Sequence, residues 1–149
     1  MADYQKPDPL TRFVFNPLVG GVTRLGLSLR GSRVLFVKGR KSGKWRSTPV
    51  NPLTVDGARY LVAPRGETHW VRNIRASGEG RLKLGRRTEA IRVEEVPVGE
   101  RPPILRAYLK RWRAETGKFF GVSKDPTDDE LERIAPHHPV FRIVDSTKE

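Results

Sequence analysis

The nine residues Lys38-Gly39-Arg40-Lys41-Ser42-Gly43-Lys44-Trp45-Arg46 carry five cations. They lie inside a longer run, Pro9 to Val55, that has nine basic residues and no aspartate or glutamate. Such a run left unneutralised in a folded chain implies an anionic partner. Glycines on either side of Arg40, Lys41 and Ser42 permit a backbone nest whose amide hydrogens converge on phosphate or carboxylate, with two side-chain cations and a hydroxyl as further donors. The segment is not a Walker-type triphosphate loop. Lys44 is followed by Trp45 rather than serine or threonine, and a strand rather than a helix comes next. A solvated hairpin loop with incidental lysines fits the same local pattern.

The rest of the composition narrows the anion. The 149 residues include 29 Lys plus Arg against 17 Asp plus Glu, a net charge of +12. Nucleic acid, acidic lipid headgroups and a phosphorylated cofactor all answer to that charge. With no cysteine, disulfides, thiolate catalysis and cysteine-ligated metal sites are excluded. His69, His137 and His138 lack metal-ligand spacing, so no metal is expected. Residues 1–149 read as one domain, long enough to bury about two-thirds of the unfolded surface. Met1 to Gln5 does not resemble a secretory signal. The longest uncharged run, Phe13 to Thr23, has 11 residues, against roughly 20 needed to span a bilayer. A cytoplasmic protein is expected. Leu10, Phe13, Val14, Leu18, Val22, Leu25 and Leu29 recur at helical spacing beside Arg12, Arg24 and Arg30. They predict a leading amphipathic helix over 1–30, packed on its own domain or in peripheral contact with a membrane surface.

The elements that must position the basic loop follow from periodicity. Val34 to Val37 reads as a buried strand before the loop. Thr48 to Val55 reads as a second strand, at an edge or bulge because of Pro49 and Pro52. Asp56-Gly57 is a two-residue hairpin turn into Ala58 to Ala63, so 34–63 is expected to be a meander. Glu67 to Ser77 predicts a helix stopped by Gly78 and Gly80. Arg81 to Leu84 and Glu89 to Val96 predict two further strands. Pro102-Pro103 opens a helix whose Ile104, Leu105, Tyr108, Leu109 and Trp112 share one face. A glycine-bounded aromatic loop, Gly117 to Val122, precedes a capping box at Thr127 and Glu130, and Val140 to Val144 closes the chain as a strand. This order predicts an α+β fold around a mainly antiparallel sheet or small barrel. The strands follow one another too closely for a doubly wound parallel sheet.

Taken in order, Gly39-Arg40-Lys41-Ser42-Gly43, Arg46, the strand with Asn51-Pro52-Leu53, the turn Val62-Ala63-Pro64-Arg65-Gly66 and the helix with Trp70 and Asn73 resemble the deazaflavin (coenzyme F420)-dependent nitroreductase family of actinobacteria. The resemblance covers about residues 34–96. It implies a split β-barrel of the flavin-reductase and pyridoxamine-oxidase type with flanking helices. It also implies that Arg40, Lys41, Ser42 and Arg46 hold the phosphate and oligoglutamate tail of a reduced 8-hydroxy-5-deazaflavin. Thr48, Pro49, Val50 and Asn51, with Ala63, Pro64, Arg65 and Gly66, would line its ring and ribityl chain, and Trp70 and Asn73 would close the groove. Taken singly, Trp70 is as readily a core residue and Arg65 or Arg72 a surface charge. Family members carry a tyrosine-rich segment near the carboxyl terminus, whereas here Gly117 to Val144 has none. Phe119 and Phe120 are the nearest candidates for a substrate pocket, and no catalytic side chain is identified. The implied activity is hydride transfer to a small apolar electrophile, a quinone, an enone or a nitro compound, by a monomer or homodimer. Three other readings stay open: a flavin mononucleotide enzyme of the same architecture, a binder that holds deazaflavin or an apolar ligand without reacting, and a nucleic-acid-binding protein with Trp45 as a stacking platform.

Overall fold

The computed structural model describes residues 33–148. The helix expected over 1–30, with Arg12, Arg24, Arg30 and any membrane contact through them, lies outside the described residues. Among those described, no helix is long and apolar enough to cross a membrane.

Among the described residues, seven strands and three α-helices follow in the order β1 (Arg33–Lys38), β2 (Trp45–Val50), β3 (Leu53–Val55), β4 (Ala58–Val62), α1 (His69–Ser77), β5 (Glu79–Leu84), β6 (Arg87–Glu95), α2 (Arg101–Thr116), α3 (Asp128–Ile134) and β7 (Val140–Lys148). The strands form one sheet in the order β2-β1-β5-β6-β7-β4-β3, and every pairing is antiparallel.

β2 and β3 stand at opposite edges of this sheet although only Asn51 and Pro52 separate them in sequence. Three Cα steps span at most about 11 Å. A flat sheet of seven strands would hold its edges about 29 Å apart, at about 4.8 Å per strand spacing. The sheet therefore curls until its edges approach, which makes it a split barrel. The expected meander over 34–63 is corrected here. β1–β2 and β3–β4 are separate hairpins, and the chain changes edge at Asn51-Pro52. Pro52 has no amide to donate to a ladder, and both strands that flank it lie where one side goes unpaired. β2 also begins earlier than expected, at Trp45, because each residue from Arg33 to Lys38 finds a partner across the hairpin.

Local chemistry explains the other boundaries. Asp56 and Gly57 both have positive φ, 50° and 81°, the conformation that a tight hairpin turn between twisted strands requires. Gly78 ends α1 in the left-handed region, its N–H donating to Ile74 O at 2.7 Å. Thr127 and Glu130 form the predicted capping box on α3.

Two apolar clusters fill the molecule. Leu35, Val37, Val50, Leu61, Leu82, Ile91 and Phe141 line the concave face of the sheet, where Val71 and Ile74 of α1 plug it. Ile104, Leu105, Tyr108, Leu109 and Trp112 of α2 pack with Leu53, Val62, Val140 and the α3 residues Leu131 and Ile134. Each such side chain contributes about 1.5–3 kcal/mol. α2 also grips the edge-crossing link: Trp112 Nε1 donates to Pro52 O at 3.2 Å. Tyr108, fully buried, has its phenol pKa raised by that burial, while the nearby Thr116 and Asn51 side chains act in the other direction.

If Trp112 pins the link, Trp112→Phe should keep the fold but lose about 1–2 kcal/mol of stability in urea unfolding. A variant as stable as the wild type would show that the bond to Pro52 does not contribute.

Candidate functional site

The basic hairpin loop between β1 and β2 is internally braced. Gly39 N donates to Lys44 O at 2.8 Å and Gly43 N to Gly39 O at 2.9 Å, while Lys44 N donates to Ser42 Oγ at 3.2 Å. Gly43 sits at φ 71°. A Cβ on Gly39 would lie 2.7 Å from Ser42 Oγ, so a side chain there would displace the hydroxyl that accepts from Lys44 N. Arg40 is fixed from outside the loop. Its backbone N–H and its Nη1 both donate to Asn73 Oδ1, at 3.1 and 2.8 Å. The amides of Gly39, Arg40, Gly43 and Lys44 are thus spent within the protein, so a nest in this loop draws on the amides of Lys41 and Ser42 together with the side chains.

Asn73 is itself 3% exposed, so it sits under the groove as a brace for Arg40 rather than as a wall of it. This pair of bonds ties the loop to α1. Arg46 projects from β2 on the same face as its ladder partner Val37, and Thr48 on that of Leu35. This is the face on which α1 lies. The electrostatics of His69, the first residue of α1, show what this brings together. Although the ring is largely exposed, partial desolvation is the largest cause lowering its pKa, followed by repulsion from Arg40, Arg72, Arg46 and Lys41. The four charges that lower its pKa are cations, supplied by the loop, β2 and α1. The acid nearest the cluster in sequence is drawn away: Glu67 bonds Arg75, which Glu95 also engages. Beside His69, Thr68 occupies the N-cap without making a capping bond. Its Oγ1 is buried and has no partner among the described residues. An unsatisfied buried hydroxyl at a helix N-terminus, beside these four cations, suits an anionic ligand group.

The turn Ala63 to Gly66 lies between β4 and α1. Ala63 N donates to Pro139 O at 2.9 Å, and Gly66 N, at φ 79°, closes the turn on Ala63 O at 3.3 Å. Pro64 is half-buried, while Arg65 is exposed and lies 5.1 Å over the Phe119 ring. Trp70, also half-buried, packs on Phe141 with centroids 5.9 Å apart.

The remaining expected site residues divide. Pro49 is exposed and Asn51 half-buried beside Tyr108, whereas Val50 is buried in the core. Phe119 is half-buried at the turn, but Phe120 is 3% exposed and belongs to the core around Tyr108. It does not line a pocket. Thr68 is not among the residues expected from sequence, His69 is weighed there only as a metal ligand, and Arg72 only as a surface charge. With the helix expected to start at Glu67, Thr68 looks like an interior residue, although threonine before an apolar run is itself an N-cap signal. Neither of two surface depressions, of about 240 Å³ beside Gly57 to Arg59 and about 340 Å³ between α2 and α3, touches these residues. The candidate site is an open cationic face.

A family model described as F420H2-dependent quinone reductase matches residues 16–128. No curated protein gives a significant match. A protein of unknown function from Agrobacterium tumefaciens strain C58 superposes with TM-score 0.56 at 14% identity, covering 79% of this chain and 50% of that one, so this chain spans half its length. A nimC/nimA family protein from Clostridium acetobutylicum gives TM-score 0.53 at 11% identity over 80% of this chain and 78% of its own. The F420-H2 dependent reductase FDR-A gives 0.52 at 21% identity over 76% and 94%. At these identities the likeness establishes the fold.

The cation cluster makes a measurable claim about His69. Arg46→Gln or Lys41→Gln should raise its pKa toward the ordinary histidine value in an NMR titration, and Arg40→Gln should raise it further. A pKa unmoved by all three would mean that the four cations do not gather there.

Proposed function

The chain belongs to the F420H2-dependent quinone reductase family, oxidoreductases that use reduced coenzyme F420, and on that premise we propose that it reduces a quinone on the face built by α1, the basic loop and the turn 63–66. The observation that carries this reading is the gathering of Arg40, Lys41, Arg46 and Arg72 around His69. F420 ends in a phosphate and a glutamate tail, and Arg40, Lys41, Arg46 and Arg72, with Ser42 and the Thr68 hydroxyl, supply what such groups need. The ring would lie against Pro64 and Trp70, with the amide of Arg65 and the strand Thr48 to Asn51 at its edges. A flat ring needs an apolar wall and a few fixed donors, and its charged tail needs cations.

The reduced deazaflavin supplies the hydride when bound. The protein orients the ring: Asn73 holds Arg40 and so fixes the tail-binding loop relative to α1, and the turn fixes the opposite end. A quinone suits this chain better than a nitro compound. Hydride addition to a quinone leaves a hydroquinone anion that water can protonate, whereas nitro reduction must also expel an oxygen as water. No tyrosine stands between Gly117 and Val144 to serve as an acid. Enones remain within the same chemistry. Phe119, held under Arg65, is the aromatic surface best placed to meet the substrate.

Purified protein should quench F420 fluorescence at micromolar concentration and oxidise F420H2 with menadione. Lys41→Ala and Arg46→Ala should each weaken F420 binding by about 1.5–3 kcal/mol, with little effect on a tail-less deazaflavin. Equal losses for both ligands would remove the tail from this face. A bound anion should also lift the depressed His69 pKa. The complex then holds more proton than the free protein, so affinity should rise as pH falls through the interval between the two values. Affinity that stays flat or falls over that interval would contradict the placement.

A further inference from the structure

His138 lies outside every group assigned so far. It is 6% exposed, and its Nδ1 is 3.0 Å from Ala63 O. A carbonyl only accepts, so Nδ1 carries the hydrogen. The same carbonyl accepts from Gly66 N, the bond that closes the turn, and Pro139 O accepts from Ala63 N. Residues 138 and 139 therefore clamp both polar groups of Ala63. The ring of His138 is held in turn by Phe120, 4.3 Å away between centroids and tilted by 30°, and Phe120 rests on Tyr108 of α2. Its neighbour Phe119 supports Arg65. The segment after α2 thus supports the turn twice, through Phe119 to Arg65 and through Phe120 and His138 to Ala63.

We propose that His138 is a positioning residue: its Nδ1–H fixes the Ala63 carbonyl and, with the Gly66 amide held on the same oxygen, thereby sets the aim of the Arg65 amide at the deazaflavin ring. This rests on the reading that residues 63–66 face the cofactor. A turn of four residues closed by one 3.3 Å bond is weakly determined by itself, and a second donor on its acceptor oxygen restricts the peptide planes that follow. An alternative, that His138 merely fills space beside Phe120, makes different predictions.

Two substitutions separate the donor from the ring. His138→Asn keeps a nitrogen donor near the Nδ1 position but loses the stack on Phe120. His138→Phe keeps a stacking ring but loses the donor. For the proposal to hold, His138→Phe should melt near the wild-type temperature, exchange the Gly66 amide faster in the cofactor-free protein, and bind F420 at least about tenfold more weakly, the equivalent of about 1.4 kcal/mol. His138→Asn should melt lower yet bind F420 within about threefold of wild type, a difference of under about 1 kcal/mol. F420 affinity that follows melting temperature across the two variants, or wild-type Gly66 exchange in His138→Phe, would overturn it. Should wild type itself fail to bind F420, the functional reading above falls, while Gly66 exchange still decides whether His138 holds the turn.

Discussion

Two residues, Asn51 and Pro52, carry the chain from one edge of a seven-stranded sheet to the other, and that short reach requires the sheet to curl. Curling creates the concave face that α1 fills with Val71 and Ile74. Once α1 is seated there, its first residues stand beside the basic hairpin loop and the Arg46 face of β2. α2 closes the arrangement from outside by bonding the link at Pro52 through Trp112. Seating α1 on this face brings His69 and Arg72 beside Arg40, Lys41 and Arg46 of the β1–β2 hairpin.

Charge is then managed by selective pairing. Arg75 is neutralised by Glu67 and Glu95, Arg59 by Glu89, and Arg101, 5% exposed, by Glu95 with the carbonyls of Val96 and Ala135. These pairs hold the barrel and its helices together. Around His69 the field is left positive. Self-repulsion there costs stability that a bound anion would offset, as expected of a binding face rather than of a structural ion-pair network. Arg40 is the exception that links the two roles, since Asn73 fixes its position without neutralising its charge.

Sequence periodicity and turn chemistry made most elements legible. The Asp56-Gly57 turn, the Gly78 stop, the capping box and the buried face of α2 each depend on contacts within a few residues. The edge change at Asn51-Pro52 was not legible, because the alternation of Thr48 to Val55 is the same whether its two halves share an edge or part company. Long-range pairing decides that, and local sequence does not encode it. The basic loop was recognisable as an anion site by composition, but the use of its amides was not, because Asn73 lies 33 positions away. The roles of Thr68 and His69 escaped notice since they depend on where α1 points. Phe120 was misjudged for the opposite reason: an aromatic residue in a glycine-bounded loop looks exposed until His138 and Tyr108 are seen around it.

Amide hydrogen exchange with and without saturating F420 would decide whether the cofactor site is at this face. Binding should slow exchange together in residues 39–48 and 63–73, which lie on separate elements joined by the bonds from Arg40 to Asn73. Protection confined to the α2–α3 side, or no protection in either segment at saturation, would contradict the account.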